Sequence, residues 1–150
     1  MALGWLKGKF NEVSKNLQDE VSKIRNQAFL EGVVAGCALV AYADGVVKPE
    51  EKQKMLGFMR NNDIMSVFKT EDIITLFEKY SSRFEFDPQI GEMDALAAIG
   101  KLRDKPDQAR LLVRVSCAIA GSDGDFDESE KQAVRKICLE LGLSPADFDL

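Results

Sequence analysis

Apolar residues recur every three to four positions along most of the 150-residue chain. No segment alternates apolar and polar residues for long enough to indicate a strand. The pattern therefore predicts an all-α protein, a single compact domain over residues 1–150 with seven to eight helices. The predicted helices cover 3–25, 27–43, a segment from Pro49, 71–81, a segment from Pro88, 106–120 and 128–141, with a last short turn at 144–147.

Two of these segments, 27–43 and 106–120, are apolar on most sides, and we expect them to be the central helices. The remaining helices should wrap around them. The N-terminal amphipathic helix (1–25) should pack on the domain through one apolar stripe that includes Leu17 and Val21. Its basic and aromatic start, with Trp5 and Lys7, leaves open a docking surface for a membrane or a partner helix.

Several residues predict where helices begin, end and face the core. Asp44-Gly45 should end the first central helix, and Gly142 should end the last long helix. Thr70 should be the N-cap of the helix predicted over 71–81. Asp127 and Glu130 have the spacing of a capping box. The helix from Pro88 is predicted to face inward with Ile90, Met93, Leu96, Ala97 and Ile99.

An acidic turn occurs twice in the chain, 79 residues apart. Each copy has Asp-Gly followed by a Glu seven residues after the Asp, first at Asp44 and Glu51 and then at Asp123 and Glu130. The second copy adds Asp125 and Asp127, where the first has Val46 and Lys48. The spacing predicts an internal pseudo-repeat of helix, acidic turn and helix.

The second turn has the side chains that hard divalent cations prefer. Asp123, Asp125 and Asp127 alternate through a glycine-containing turn, and Ca²⁺, Mg²⁺ and Mn²⁺ take carboxylate oxygens as ligands. An EF-hand is excluded because the sixth position of the loop is Glu128 rather than Gly and the twelfth is Val134 rather than Glu.

We expect the two turns to lie close together around a pseudo-twofold axis. The candidate metal ligands are then Asp44, Glu51, Asp123, Asp125, Asp127 and Glu130. Four or more carboxylates held close together repel one another, so convergence implies a cation or another cationic partner. The alternative is that the same residues only end and cap helices.

Composition narrows the possible chemistry. A net charge of -5 argues against nucleic acid as a partner, and the absence of His removes the usual general base. Cys37, Cys117 and Cys138 are widely spaced among apolar residues, so we expect buried reduced thiols. Cys138 is the thiol whose basic neighbours in sequence could make it reactive. We expect no enzymatic activity.

The chain resembles the tellurite-resistance TerB family over nearly its whole length. The residues that carry the resemblance are Phe29-Leu-Glu-Gly-Val-Val-Ala-Gly-Cys37, Ala43-Asp-Gly-Val-Val-Lys-Pro-Glu-Glu-Lys-Gln-Lys-Met55, Phe84-Glu-Phe-Asp87, Ser122-Asp-Gly-Asp-Phe-Asp-Glu-Ser-Glu-Lys131 and Leu143-Ser-Pro-Ala-Asp-Phe148. The resemblance implies an all-helical cytoplasmic protein that takes part in resistance to tellurite and other stresses. It also implies that the protein works with a membrane protein of the TerC type at the inner face of the membrane.

From the residues and the resemblance together, we expect a cation-binding interaction module with a divalent metal (Ca²⁺, Mg²⁺ or Mn²⁺) at the acidic turns. Its partner would be an integral membrane protein of the TerC type, which would give it a peripheral association with the membrane. The alternative is a metal-independent adaptor with an acidic docking surface.

Overall fold

The computed structural model describes residues 10–24, 26–43, 47–61, 63–121 and 126–150, with side chains from residue 15 onward. Within these ranges, every regular element is helical. The α-helices are α1 (Phe10–Ile24), α2 (Gln27–Ala41), α3 (Pro49–Asn61), α4 (Thr70–Phe86), α5 (Pro88–Gly100), α6 (Pro106–Ala120) and α7 (Glu128–Glu140). Two short 3-10 helices cover Asp63–Val67 and Pro145–Phe148. The predicted all-α class is confirmed.

The centre of the fold is formed by α2 and α6, as predicted. α2 packs against α3, α4, α5, α6 and α7. It approaches α6 closely at two glycines, because a Cβ atom on Gly32 would lie 2.7 Å from Leu112 Cδ1 and one on Gly36 would lie 3.1 Å from Ser116 Oγ. The glycines therefore allow two apolar helices to pack side by side.

The internal repeat is visible in the helix boundaries. α2 and α6 begin at 27 and 106 and end at 41 and 120, while α3 and α7 begin at 49 and 128 and end at 61 and 140. All four boundaries are 79 residues apart, the same spacing as the two acidic turns. We call α2–α3 the first unit and α6–α7 the second unit. The helices α4 and α5 lie between them in sequence.

The described part of α1 packs against the Asp63–Val67 3-10 helix and α6. Leu17 and Val21 are fully buried, and Glu20 forms an ion pair with Arg114 of α6 at 3.1 Å. Trp5 and Lys7 lie outside the described residues, and so does the predicted start of this helix. The assignment of residues 1–150 to a single domain stays a prediction.

Two predictions about α4 were wrong. Thr70 is the first residue of the helix, and its N-cap is Lys69, which makes no side-chain capping hydrogen bond. The helix also continues past Ser81 to Phe86. The serines do not end it, because Ser82 Oγ donates to the carbonyl oxygen of Glu78 within the helix at 2.8 Å and Phe84 extends the buried stripe.

The predicted inner face of α5 was also largely wrong. Ile90, Met93 and Ala97 are exposed, whereas small residues face the core together with Ile99. The reason is the close contact with α4, since a Cβ atom on Gly91 would lie 2.6 Å from Phe84 Cα. A helix pressed this closely against its neighbour presents its smallest side chains to it, so the large ones point outward.

The ends of the other helices agree better with the sequence. Asp87 caps α5 by accepting from the backbone N–H of Gln89 at 2.8 Å, and Gly142 has a left-handed φ of 72° after α7. The predicted extent of the first central helix to Ala43 was wrong, because α2 ends at Ala41 with Tyr42 as its C-cap, while Asp44 and Gly45 lie outside the described residues. None of the helices in the described ranges has the length and apolar character of a membrane span.

Candidate functional site

The two units meet at a cavity of about 200 Å³. Three of the predicted ligands line it: Glu51 from the start of α3, and Asp127 and Glu130 from the start of α7. Ala41 and Ala120, the equivalent last residues of α2 and α6, line it as well. The cavity therefore lies where both central helices end and both following helices begin.

Glu51 and Glu130 occupy equivalent positions, and each binds the backbone at the start of its own helix. Glu51 Oε1 accepts from the N–H of Lys48 at 3.3 Å, and Glu130 Oε1 accepts from the N–H of Asp127 at 3.0 Å. Asp127 returns the interaction by accepting from the N–H of Glu130 at 2.8 Å, which completes the predicted capping box. Both glutamates therefore have a structural role as well as a place in the cavity.

The other three predicted ligands, Asp44, Asp123 and Asp125, lie outside the described residues. Among the side chains that are described, no group of three or more His, Cys, Asp or Glu residues is placed to hold a metal ion. The described carboxylates thus supply part of a possible oxygen ligand set but not a complete one. The metal site stays a prediction.

The rest of the cavity wall differs between the two units. The first unit contributes Lys54 and the apolar side chains of Met55 and Phe58, and the Lys54 ammonium lies 5.7 Å from the centre of the Phe58 ring. Lys52, which does not line this cavity, pairs with Glu78 of α4 at 3.2 Å. One positive charge of the chain therefore lies among the carboxylates of the cavity.

A second cavity of about 220 Å³ adjoins the first, and Ala43 and Ser129 line both. Its wall includes Tyr42, whose ring stacks on that of Phe84 with centroids 5.0 Å apart. Burial, aided by the carboxylate of Glu85 that accepts from its hydroxyl at 2.7 Å, raises the pKa of Tyr42 to about 12. Sequence reasoning missed this cavity, because its residues come from α2, α4, α5 and α7.

All three cysteines are buried, as predicted. Burial raises the pKa of Cys37 to about 12 and that of Cys138 to about 11, and it also raises the pKa of Cys117. The basic neighbours of Cys138 in sequence are paired elsewhere, Arg135 with Glu128 at 2.9 Å and Lys136 with Glu92 at 2.6 Å. The thiols are therefore protonated core side chains at neutral pH.

These features define an all-helical protein built on a repeated unit of helix, acidic turn and helix. A family model described as "Tellurite resistance protein TerB" matches residues 30–150, a range that contains both units except the first three residues of α2. The chain is also similar to the tellurium resistance protein TerB of Alcaligenes sp., with 38% identity over 110 residues, 73% of this chain and 90% of the relative. The chain belongs to the TerB tellurite-resistance family. No solved structure matches it.

Proposed function

We propose that this protein acts in tellurite resistance as a cation-binding interaction module whose site lies between its two units. The observation that carries the proposal is that Glu51 and Glu130, equivalent residues 79 positions apart, line one cavity together with Asp127. Asp44, Asp123 and Asp125 belong to the turns that lead into these helices and would complete the oxygen ligand set. The metal would be Ca²⁺, Mg²⁺ or Mn²⁺, which prefer carboxylate oxygens.

The helix ends at the cavity also favour a cation. Both α2 and α6 end there, and the last carbonyl groups of a helix carry its partial negative charge. The positive ends of α3 and α7 lie at the same place, but Glu51 and Glu130 bind backbone N–H groups at these starts. The three carboxylates of Glu51, Asp127 and Glu130 outnumber the Lys54 ammonium group in the cavity wall. A divalent cation would therefore relieve repulsion among these carboxylates.

The interaction partner we propose is an integral membrane protein of the TerC type, met at the inner face of the cytoplasmic membrane. Membership of the family supports a role in tellurite resistance, and the TerC-type partner is what the resemblance to this family implies. Occupation of the site by a cation would reduce the negative charge that the partner meets. The protein would then dock differently in its metal-free and metal-bound states.

The test is a calorimetric titration of chelator-treated protein with Ca²⁺, Mg²⁺, Mn²⁺ and Zn²⁺. We expect saturable binding of at least one ion below about 1 mM, the weak end of protein Ca²⁺ sites. Asp123→Asn and Asp44→Asn should each weaken it if the turns share one site, whereas the exposed loop variant Asp104→Asn should not. Loss in Asp123→Asn alone would place the site on the second turn, and no binding by the wild type would refute the proposal.

A second candidate function is a metal-independent adaptor with the same acidic surface. The observation in its favour is that Glu51, Asp127 and Glu130 already serve as capping groups, which explains their positions without a metal. In this case Glu51→Lys should abolish binding to a TerC-type partner, and a chelator should leave binding unchanged. The cation-binding module predicts that a chelator alters the affinity.

A further inference from the structure

The second cavity is bordered by elements that expose large apolar side chains. Phe86 at the end of α4 is 82% exposed and Met93 of α5 is 70% exposed, while Leu139 of α7 is 65% exposed. Phe86 lies two residues before Pro88 and Met93 directly follows Glu92, and both Pro88 and Glu92 line the cavity. The helices that line the second cavity therefore also expose large apolar side chains, and exposed apolar side chains are typical of an interaction surface.

The wall of the second cavity is apolar at its base and polar around it. Leu39 and Phe84 are buried residues of the core, whereas Gln132 is exposed and Lys136 pairs with Glu92. A volume of about 220 Å³ is larger than the roughly 150 Å³ of a protein cavity that accepts benzene. The cavity therefore has room for one bulky apolar side chain, with polar groups positioned to bind the backbone that carries it.

The two cavities adjoin each other, because Ala43 and Ser129 line both. We propose that they form one docking groove for a segment of a partner protein that carries a bulky apolar side chain next to a lysine or arginine. The apolar side chain enters the second cavity, and the basic side chain pairs with Glu51, Asp127 and Glu130 in the first. This inference deepens the proposed interaction module, but it does not require that a metal binds.

Charge favours a partner segment over two other occupants of the groove. An anionic lipid surface would meet the carboxylates of the first cavity and the net charge of -5, and like charges repel. A second copy of this chain, related by a twofold axis through the groove, would bring the two acidic cavities toward each other. A segment with an adjacent basic residue complements both the apolar and the acidic part.

The test uses a phage-displayed library of random heptapeptides, selected on the chelator-treated full-length protein. We expect the selected peptides to combine an aromatic or aliphatic residue with a Lys or Arg within two positions. The affinities of synthetic copies are then measured by fluorescence anisotropy. Gln132→Trp, which fills the second cavity from an exposed position of α7, should lower the affinity by about tenfold or more.

The internal repeat provides a matched control. Gln53 of α3 is the equivalent of Gln132, 79 residues earlier, and it is exposed and lines neither cavity. Gln53→Trp should therefore leave the affinity within about twofold of the wild type, at a salt concentration that screens distant charges. The double variant Glu51→Gln/Glu130→Gln should weaken peptides that contain Lys, and should have little effect on the same peptides with Lys replaced by Ala.

Four results would overturn the docking groove. The first two are selected peptides that lack an apolar residue, and equal peptide affinities of the Gln132→Trp and Gln53→Trp variants. The third is binding of the wild type to phosphatidylglycerol vesicles that Gln132→Trp abolishes. The fourth is a concentration-dependent dimer of the wild type that Gln132→Trp abolishes. Circular dichroism of each variant verifies that it is folded. Because the chelator is present throughout, the outcome of the peptide experiment does not depend on whether the protein binds a metal. In the same way, a negative peptide experiment does not contradict metal binding in the calorimetric titration.

Discussion

The two units have the same helix lengths and the same spacing, yet their acidic turns lead into helices that are capped differently. In the second unit, Asp127 and Glu130 bind each other's backbone N–H groups and complete a capping box. In the first unit, Glu51 accepts from the backbone N–H of Lys48. The N–H of Glu51 donates to the carbonyl oxygen of Lys48 at 3.0 Å instead of to a side chain, since a lysine side chain has no acceptor. The glutamate that binds the backbone at the start of the helix is thus common to both units. The aspartate at the N-cap position, Asp127, is replaced by Lys48 in the first unit.

This difference distinguishes the glutamate that each helix start uses for stability from the additional carboxylates that only the second unit has. A glutamate at the third helical position stabilises the start of a helix in either unit, so its repetition alone does not indicate a ligand. The additional carboxylates are in the second unit, and the apolar wall of Met55 and Phe58 is in the first. The repeated scaffold therefore surrounds the cavity with two carboxylates from the second unit, and with Glu51, Lys54 and most of the large apolar side chains from the first.

The largest expected effect concerns the buried thiols, which both units contain. Because burial raises the pKa of Cys37 to about 12 and that of Cys138 to about 11, both remain protonated at pH 8. Their reaction with an aromatic disulfide should be at least about a hundredfold slower in the native protein than in urea, and should become faster as pH rises toward these pKa values. Rapid native reaction at Cys138 alone would show that the second unit opens more readily.

An exchange of equivalent core residues should have the next largest effect. Gly36 of α2 corresponds to Val115 of α6, and the space beside Gly36 is occupied by Ser116 and Ile137. Gly36→Val should destabilise the protein by about 1–3 kcal/mol through overpacking, as measured by urea unfolding. Gly57→Ala, which has open space around it, should instead stabilise by about 0.5–1 kcal/mol. A Gly36→Val variant as stable as the wild type would contradict the close approach of α6 and α7 to Gly36.

Removal of the N-cap tests the difference between the two helix starts directly. Asp127→Ala should lower the free energy of unfolding by about 1 kcal/mol, because the backbone N–H of Glu130 loses its acceptor. Lys48→Ala at the equivalent position should change it by less than about 0.5 kcal/mol, as is usual for exposed residues. Thermal unfolding of both variants in one buffer provides the comparison. A larger loss of unfolding free energy from Lys48→Ala than from Asp127→Ala would contradict the interpretation that only the second unit has a side-chain N-cap.

The smallest effect should come from making the first unit resemble the second. Lys48→Asp introduces a side-chain acceptor opposite the N–H of Glu51, and should stabilise by up to about 1 kcal/mol. The same variant adds a carboxylate at the position equivalent to Asp127, so metal affinity in the calorimetric titration should increase as well. Added stability without a change in metal affinity would indicate that the site belongs to the second turn alone.

Much of the fold could be predicted because the deciding interactions are local. The starts at Pro49, Pro88 and Pro106, and the capping box of α7, depend on residues within four positions of one another. Two other features of the structure differ from what these local signals predict. Thr70 has the chemistry of an N-cap, but the helix begins one residue earlier than that role requires, and the buried 3-10 residues Ile64 and Met65 were not anticipated.

The sequence alone determined the helical class, the 79-residue repeat and the family, because periodicity and motif spacing are properties of the chain itself. The tertiary structure decided which side of α5 is buried, because the backbone of Phe84 leaves space beside Gly91 for no larger residue. It also decided that Glu51 and Glu130 line one cavity and that a second cavity adjoins it. Contacts between helices far apart in the chain depend on how their side chains pack, and hydrophobic periodicity does not specify that packing.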